Sequence, residues 1–403
     1  MVRKRDLPAI EGGRPVFRKK FTTHGFGLYL YGKEELDNIK AVIRAKSPFR
    51  YYGVDVQHFT DKFEKAFAKM CKVKYALGVT SGSAALHVSL GALGVEKGDD
   101  VLVTALTWIS DGFAPIWCGA RPVIIDVDPD TLCINPEDVE EKITKETKVV
   151  IAVDYFGYPA DADRLMEICE EHGVYLLEDA SHAHGASYRG RMTGGLGHMA
   201  AFSCQLHKII TSGEGGVVTT DDDELYKRAY RFHDLGMFYH KQPFVTVGFQ
   251  YRMTELQGAL LYAQVKKLRK IVSGNRKAAK AMERGIKKEV GKGPIFREER
   301  DVKQVYYGLL MKPDWGNLEI ESEKFIQALA KEGVEVWKVN KPLYKADALK
   351  GIAKVPYAGE VCREAEKAYR EWFALPVYPG MKEREIEGIV KAFTKIYKYY
   401  SRK

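Results

Sequence analysis

One lysine in this chain stands where burial would make it reactive. In Phe202-Ser203-Cys204-Gln205-Leu206-His207-Lys208-Ile209-Ile210-Thr211-Ser212-Gly213-Glu214-Gly215-Gly216, Lys208 sits among apolar and small residues, on a loop between two predicted strands. The pKa of a lysine amine falls readily on burial, so Lys208 suits Schiff-base chemistry. A surface lysine beside a glycine-rich turn would read the same way. A second stretch, Leu176-Leu177-Glu178-Asp179-Ala180-Ser181-His182-Ala183-His184-Gly185, runs apolar residues into Asp179 at the C-terminal end of a predicted parallel strand. Ligands of open α/β sheets bind outside those ends. A buried carboxylate there needs a partner, and a protonated pyridine nitrogen would be one. A helix cap or a structural ion pair are the other readings. His182 is assigned a ring contact to the same ligand. His182-x-His184 has no third ligand at a recognisable spacing, so no metal is predicted. A third stretch, Val79-Thr80-Ser81-Gly82-Ser83-Ala84-Ala85-Leu86, follows a strand and opens a helix. Free N–H groups at a helix N-terminus attract anions, and Gly82 lets a phosphate come close. A plain helix cap would look alike.

These three stretches need a scaffold that brings them together. From about residue 75 the chain alternates β-rich runs with helical patterns. Strands are predicted at 75–79, 101–104, 122–126, 149–154 and 174–178, with helices at 83–93 and 161–172. Two more strands are predicted at 199–203 and 216–220. This rhythm predicts an α/β fold with a mostly parallel sheet covered by helices on both faces. It fades after about residue 260. Strands at 305–311 and 334–339 and helices at 321–332 and 382–400 then predict a smaller C-terminal α+β domain. The expected organisation is an N-terminal arm and helix over 1–45, a large domain over 46–265, and a small domain over 266–403.

Composition narrows the function classes. The chain has 403 residues, 45% of them hydrophobic, and a net charge of +9. Eleven Lys/Arg and two Glu between Lys266 and Lys292 account for that charge. Leu261, Val265, Leu268 and Val272 recur there at helical spacing, which predicts a charged helix with one apolar stripe. The run lacks the interleaved aromatics that stack on bases, so a basic nucleic-acid-binding protein is the disfavoured alternative. No apolar run approaches the roughly 18 residues of a membrane span, and no secretory signal follows Met1. Six cysteines (71, 118, 133, 169, 204 and 362) have no paired spacing, which predicts a reducing, cytoplasmic setting. Gly195–Ala200 fits a dinucleotide fingerprint but precedes a strand. Gly27–Lys33 fits a phosphate-loop pattern but lacks the following Ser or Thr.

Taken in order, S-G-S-x-A-L, E-D-A-S-H-A-H-G, F-S-x-Q-x-x-K-x-x-T-S-G-E-G-G and G-F-Q-Y-R-M-T-E-L-Q (Gly248–Gln257) resemble the DegT/DnrJ/EryC1/StrS family of sugar aminotransferases. Glu11–Val16 and Ala374–Gly380 resemble its opening and closing motifs, so the resemblance covers nearly the whole chain. It implies the fold-type I aminotransferase fold, with pyridoxal 5′-phosphate as cofactor and a homodimer whose sites lie at the interface. By position it implies that Lys208 is the Schiff-base lysine and Asp179 the partner of the pyridine nitrogen. Trp108 would stack on the ring, His182 would lie beside it, and Gly82, Ser83 and Ser203 would contact the phosphate. Ser81 and Gln205 complete the expected cofactor set. Gln250 stands where the family often has an Asn that reaches the neighbouring subunit's phosphate. Asp154 stands where the family usually has His.

The implied reaction is transamination in two halves, from Glu or Gln to a keto-sugar or keto-cyclitol. Pro48–Gly53 and the S-x-Q-x-x-K form are similar to glutamine:scyllo-inosose aminotransferases, although the aminohydroxybenzoate synthase branch also carries Gln at position 205. Arg50, Tyr51 and Tyr52 are the candidates for substrate contact. The alternatives are a lyase, dehydratase or aminohydroxybenzoate-type synthase on the same scaffold. Family dehydratases replace the lysine with His, which Lys208 argues against. A non-catalytic ligand sensor is a further reading, disfavoured by the intact Lys208, Asp179 and Trp108 set.

Overall fold

The computed structural model describes residues 7–21, 23–291, 293–353 and 362–402. The first six residues of the expected arm and Lys292, the last cation of the basic run, lie outside the described residues.

After α1 (Lys33–Arg44) and α2 (Phe59–Cys71), the chain enters the predicted alternation. It runs β1 (Tyr75–Val79), α3 (Gly82–Ala92), β2 (Asp100–Thr104), α4 (Ile109–Trp117), β3 (Arg121–Ile125), α5 (Pro136–Lys142), β4 (Thr147–Val153), α6 (Ala162–His172) and β5 (Tyr175–Asp179). Two-residue strands β6 (Ser187–Tyr188) and β7 (Arg191–Met192) lead to β8 (Met199–Ser203) and β9 (Gly216–Thr220). Seven of these strands form one sheet in the order β1-β9-β8-β5-β4-β2-β3. Only β9 runs against the rest, pairing antiparallel with β1 and β8. The strands β2, β8 and β9 are buried along their whole length. That explains their continuous apolar runs, since a parallel sheet is covered on both faces.

Helix α3 is buried on all sides. Ala84 through Leu90 are all buried, so it is a core helix with no wet face. Its start is set by Ser81, whose side chain accepts a hydrogen bond from Ala84 N at 3.1 Å.

Beyond β9 come α7 (Asp223–His233) and the long α8 (Glu255–Val290), whose start is a capping box between Thr254 and Gln257. The predicted stripe of Leu261, Val265, Leu268 and Val272 is buried. Helix α8 runs unbroken through position 265 and packs on α1, α2 and the last helix, α11 (Glu383–Tyr400). The C-terminal part holds β10 (Ile295–Phe296), β11 (Val302–Lys303), β12 (Leu309–Lys312), α9 (Ser322–Lys331), β13 (Trp337–Lys338), α10 (Arg363–Glu371) and β14 (Phe373–Leu375). A four-stranded antiparallel sheet has the order β10-β12-β14-β13. Strand β11 joins β6 and β7 in a three-stranded patch.

Two predicted strands are much shorter than their apolar runs. At 305–311 only the last three residues enter β12. Val305 N and Tyr307 N donate instead to Gly157 O and Phe156 O, at 3.0 and 3.3 Å, so this segment docks on the large sheet. At 334–339 only Trp337–Lys338 is strand. Val334 pairs with Phe21 of the N-terminal arm, and Glu335 N donates to Phe21 O at 3.2 Å. Both runs spend their backbone groups on distant partners rather than on a local ladder. Among the described residues no helix is long and apolar enough to cross a membrane.

Candidate active site

The C-terminal ends of the parallel strands open into a cavity of about 730 Å³. Val153, Asp179 and Ser203, the last residues of β4, β5 and β8, all line it. The turns after β1 and β2 add Ser81, Gly82, Ser83, Thr107 and Trp108. The far wall comes from the C-terminal part, through Tyr307, Glu335, Trp337 and Asn340, and from Thr23 of the arm. The volume falls in the usual range for small-molecule sites.

Lys208 lies on the loop between β8 and β9 and lines this cavity, half-buried. Desolvation draws its ammonium down from 10.5 to about 8, against the opposing pull of Asp179 and Asp111. Roughly a tenth of the amine is therefore neutral at pH 7. Its backbone N donates to Gln205 O at 2.9 Å, and Gln205 Oε1 accepts from His207 N at 2.9 Å, so Gln205 shapes the turn that presents the lysine. Lys208 Nζ lies 5.4 Å from the centroid of the Tyr307 ring. His182 also packs there, its ring stacked on Tyr307 at 4.2 Å. Burial and the Lys208 charge push the His182 imidazole well below its usual range, so it is neutral. Its Nδ1 is buried with no partner.

Asp179 is 6% exposed, and its Oδ1 accepts from Ser181 N at 2.9 Å. Asp111, from the first turn of α4, lines the cavity with it, and no motif in the sequence singles it out. Glu178 and Asp154 form a second acid pair behind the cavity wall. Asp154 Oδ1 accepts from Ala160 N at 3.0 Å, and Glu178 accepts from Gly194 N and Leu196 N. Asp154 is thus directed away from the cavity, which its neighbours Val153 and Phe156 do line.

Small residues converge at the start of α3. A Cβ on Gly82 would lie 2.6 Å from Ser203 Cβ, and one on Gly216 would lie 2.2 Å from Ser81 O. Side chains at either position would fill the ground in front of the helix N-terminus. Ser83 Oγ and Ser110 Oγ share a hydrogen bond of 2.8 Å, which brings the first turns of α3 and α4 together. Open ground of this kind before a helix N-terminus fits a phosphate. Trp108, the residue before α4, lines the cavity with its indole 65% exposed, a large apolar face without a covering neighbour. An orphaned histidine nitrogen, a lysine of lowered pKa, a carboxylate at a strand end and a phosphate cradle together fit pyridoxal phosphate.

Four expected residues are not brought to this cavity. Arg50 is 3% exposed, because its guanidinium is drawn inside by Glu64 at 2.8 Å and Asp61 at 3.2 Å. Tyr51 accepts a hydrogen bond from Tyr230 at 2.6 Å and stacks on His240 at 5.1 Å. Tyr52 is exposed and packs on Phe49. The segment 49–52 is thus held in an aromatic cluster outside the cavity walls. Gln250 is exposed, outside the lining. Among the described residues no group of three His, Cys, Asp or Glu is placed to hold a metal.

Comparison with known proteins places this geometry. The chain is 32% identical over 345 residues to a GDP-perosamine synthase from Caulobacter vibrioides, covering 85% of this chain and 91% of that protein. It is 32% identical over 333 residues to a putative L-glutamine:3-amino-2,3-dideoxy-scyllo-inosose aminotransferase from Micromonospora echinospora, covering 81% and 78%. Its fold superposes on the crystal structure of an aminotransferase from Psychrobacter cryohalolentis with a TM-score of 0.86, at 28% identity, covering 92% and 98% of the two chains. A sequence profile of the DegT/DnrJ/EryC1/StrS aminotransferase family matches residues 32–394. That span contains every strand of both large sheets, the lysine loop and the phosphate cradle, and the chain belongs to this family of pyridoxal-phosphate-dependent aminotransferases.

Proposed function

We propose that this chain transfers an amino group from Glu or Gln to a keto-sugar or keto-cyclitol, working as a cytoplasmic homodimer. The observation that carries the reading is the shared cavity of Lys208 and Asp179. It joins a lysine of lowered pKa to a buried carboxylate beside a small-residue cradle at a helix N-terminus. When bound, the cofactor supplies an electrophilic carbon for the amine and a ring that withdraws electrons from the bond being broken.

The chain's own residues do the rest. Ser81, Gly82, Ser83 and Ser203 hold the phosphate through backbone N–H groups and hydroxyls. Asp179 pairs with the ring nitrogen and keeps its proton in place. Trp108 covers one ring face and excludes water from it. His182 faces the ring with its free Nδ1, and Gln205 holds the lysine turn at its edge. Lys208 Nζ is the point of attachment, and once free it takes the proton from the donor's Cα. Its amine, titrating near 8, is basic enough to take that proton and neutral often enough to be ready. Gln250 contacts the phosphate in the neighbouring subunit, which accounts for its exposure in one chain. The far wall of Thr23, Glu335, Trp337 and Asn340 receives the hydroxyl-bearing part of the acceptor. All six cysteines are free thiols, which suits a reducing compartment.

Purified protein loaded with the cofactor should be yellow, and adding Glu or Gln should replace the visible band with that of the aminated cofactor. The donor is whichever of the two does so at lower concentration. A panel of keto-cyclitols, nucleotide-linked keto-sugars and simple aldehydes should restore the band only with the true acceptor class. A protein that takes up no pyridoxal phosphate would sink the reading. Lys208→Ala should abolish the borohydride-reducible attachment and lower turnover by about 10²–10⁴-fold.

A further inference from the structure

The cavity holds one acid that binding the cofactor does not by itself explain. Asp111, in the first turn of α4, is wholly buried. Its Oδ2 accepts a hydrogen bond from Thr107 Oγ1 at 2.5 Å, and no donor faces its Oδ1. The acid it meets in the lining of the same cavity is Asp179. Two carboxyls in that contact do not both ionise, so one keeps a proton. The surroundings decide which. Asp179 has the Ser181 N–H and slight solvent access, whereas Asp111 has a single hydroxyl and none. Lys208 is the only Lys or Arg among the residues lining the cavity.

We infer that Asp111 is a positioning residue for Asp179: its neutral carboxyl donates a hydrogen bond to the Asp179 carboxylate, so the pair presents one negative charge to the cofactor's ring nitrogen. Burial and the Asp179 charge both hold the Asp111 proton far above the usual carboxyl range, with Lys208 pulling the other way. The donated bond orients Asp179 and draws charge from it. This limits how tightly Asp179 holds the ring proton. The role toward the cofactor rests on the reading above, but the shared proton exists without any cofactor.

Two kinds of measurement test this. In the cofactor-free protein, infrared difference spectra against Asp111→Asn should show the loss of a protonated-carboxyl stretch. An unchanged band in that region overturns the inference. In the loaded protein, Asp111→Asn keeps a neutral donor for Asp179 and an acceptor for Thr107. It should hold the dissociation constant for pyridoxal phosphate within about threefold of wild type and leave the pH midpoint of the visible band in place. Asp111→Ala removes the donor and should weaken binding about tenfold and move the midpoint by about one unit, the shift that corresponds to a tenfold effect. Asn behaving as Ala, or Ala behaving as wild type, overturns the inference. Should the Ala protein fail to fold, Asn decides alone. A wild-type match supports a neutral Asp111, and a tenfold loss means that the native residue was charged. A wild-type protein that binds no pyridoxal phosphate would remove the functional reading while leaving the infrared result intact.

Discussion

Acid pairs are the recurring device at the level of single residues. Behind the cavity, burial holds both Asp154 and Glu178 above the usual carboxyl range. Burial pushes Glu178 up from 4.5 to about 7, while its hydrogen bonds to Asp154, Gly194 and Leu196 hold it back. The folded-state value lies above the unfolded one, so the native state binds the Glu178 proton more tightly. Its stabilising contribution is therefore full below about pH 4.5 and is lost as pH rises through about 7. Thermal melts of the wild type between pH 5 and 8 should show this loss, amounting to about 3 kcal/mol at most. Glu178→Gln keeps an acceptor for the two N–H groups and should flatten the profile; an unchanged slope would rule the account out. Lys208, Asp179 and the Ser81–Ser83 turn were legible in the sequence because each joins an unusual residue type to a strand end or helix start. Asp111 was not, since its meaning depends on Asp179, which is distant in the chain.

At the level of elements, a buried arginine ties the two sheets together. Arg297, just past β10, donates to Thr131 O at 3.1 Å, Tyr155 O at 2.6 Å and Phe156 O at 3.2 Å. The turn it grips carries Phe156 in the left-handed region, at φ 52°, and Phe156 lines the cavity. A bulky residue there costs about 1–3 kcal/mol and persists only where its surroundings hold it. Arg297→Met would remove three hydrogen bonds from a charged donor, worth about 1.5–3 kcal/mol each, although Phe156 O keeps Tyr307 N and Tyr155 O keeps Tyr158 N. Urea denaturation should show a loss of about 3 kcal/mol or more, with weaker cofactor binding as the turn relaxes. Arg297→Lys should recover little, because one ammonium cannot replace the planar fork. A variant as stable as the wild type would show that the turn holds itself. Strands such as Met199–Ser203 and Gly216–Thr220 were read to the residue, because their partners lie in the same regular sheet. The runs at 305–311 and 334–339 were not, because their hydrogen bonds go to Gly157, Phe156 and Phe21, which no local pattern signals.

At the level of the whole molecule, one segment stands out for its exposed apolar side chains. Phe244, Val245, Val247 and Phe249 are 40–83% exposed on the segment that leads into Gln250. Exposed apolar groups gathered on one segment mark an interaction surface. The proposed homodimer covers this segment and brings Gln250 to the neighbouring site. Sedimentation should give a dimer for the wild type. Phe244→Glu with Val247→Glu should shift it toward monomer and lower cofactor occupancy, whereas a monomeric wild type would dismiss the proposal. The sequence pointed to the large sheet as the place of the site, but not to the arm as part of its wall. Thr23 has no motif, and only its bond to Glu335 gives it a place.

That bond also sets an order of events during synthesis. Thr23 N donates to Glu335 Oε2 at 2.9 Å across 312 residues of chain. A ribosome delivers Ser81 through Lys208 long before Glu335, so these residues of the cavity exist while Glu335, Trp337 and Asn340 of the far wall are still untranslated. Thr23 must wait through most of elongation, and closing so long a loop is slow compared with local pairing. The far wall is therefore the last part of the pocket to assemble.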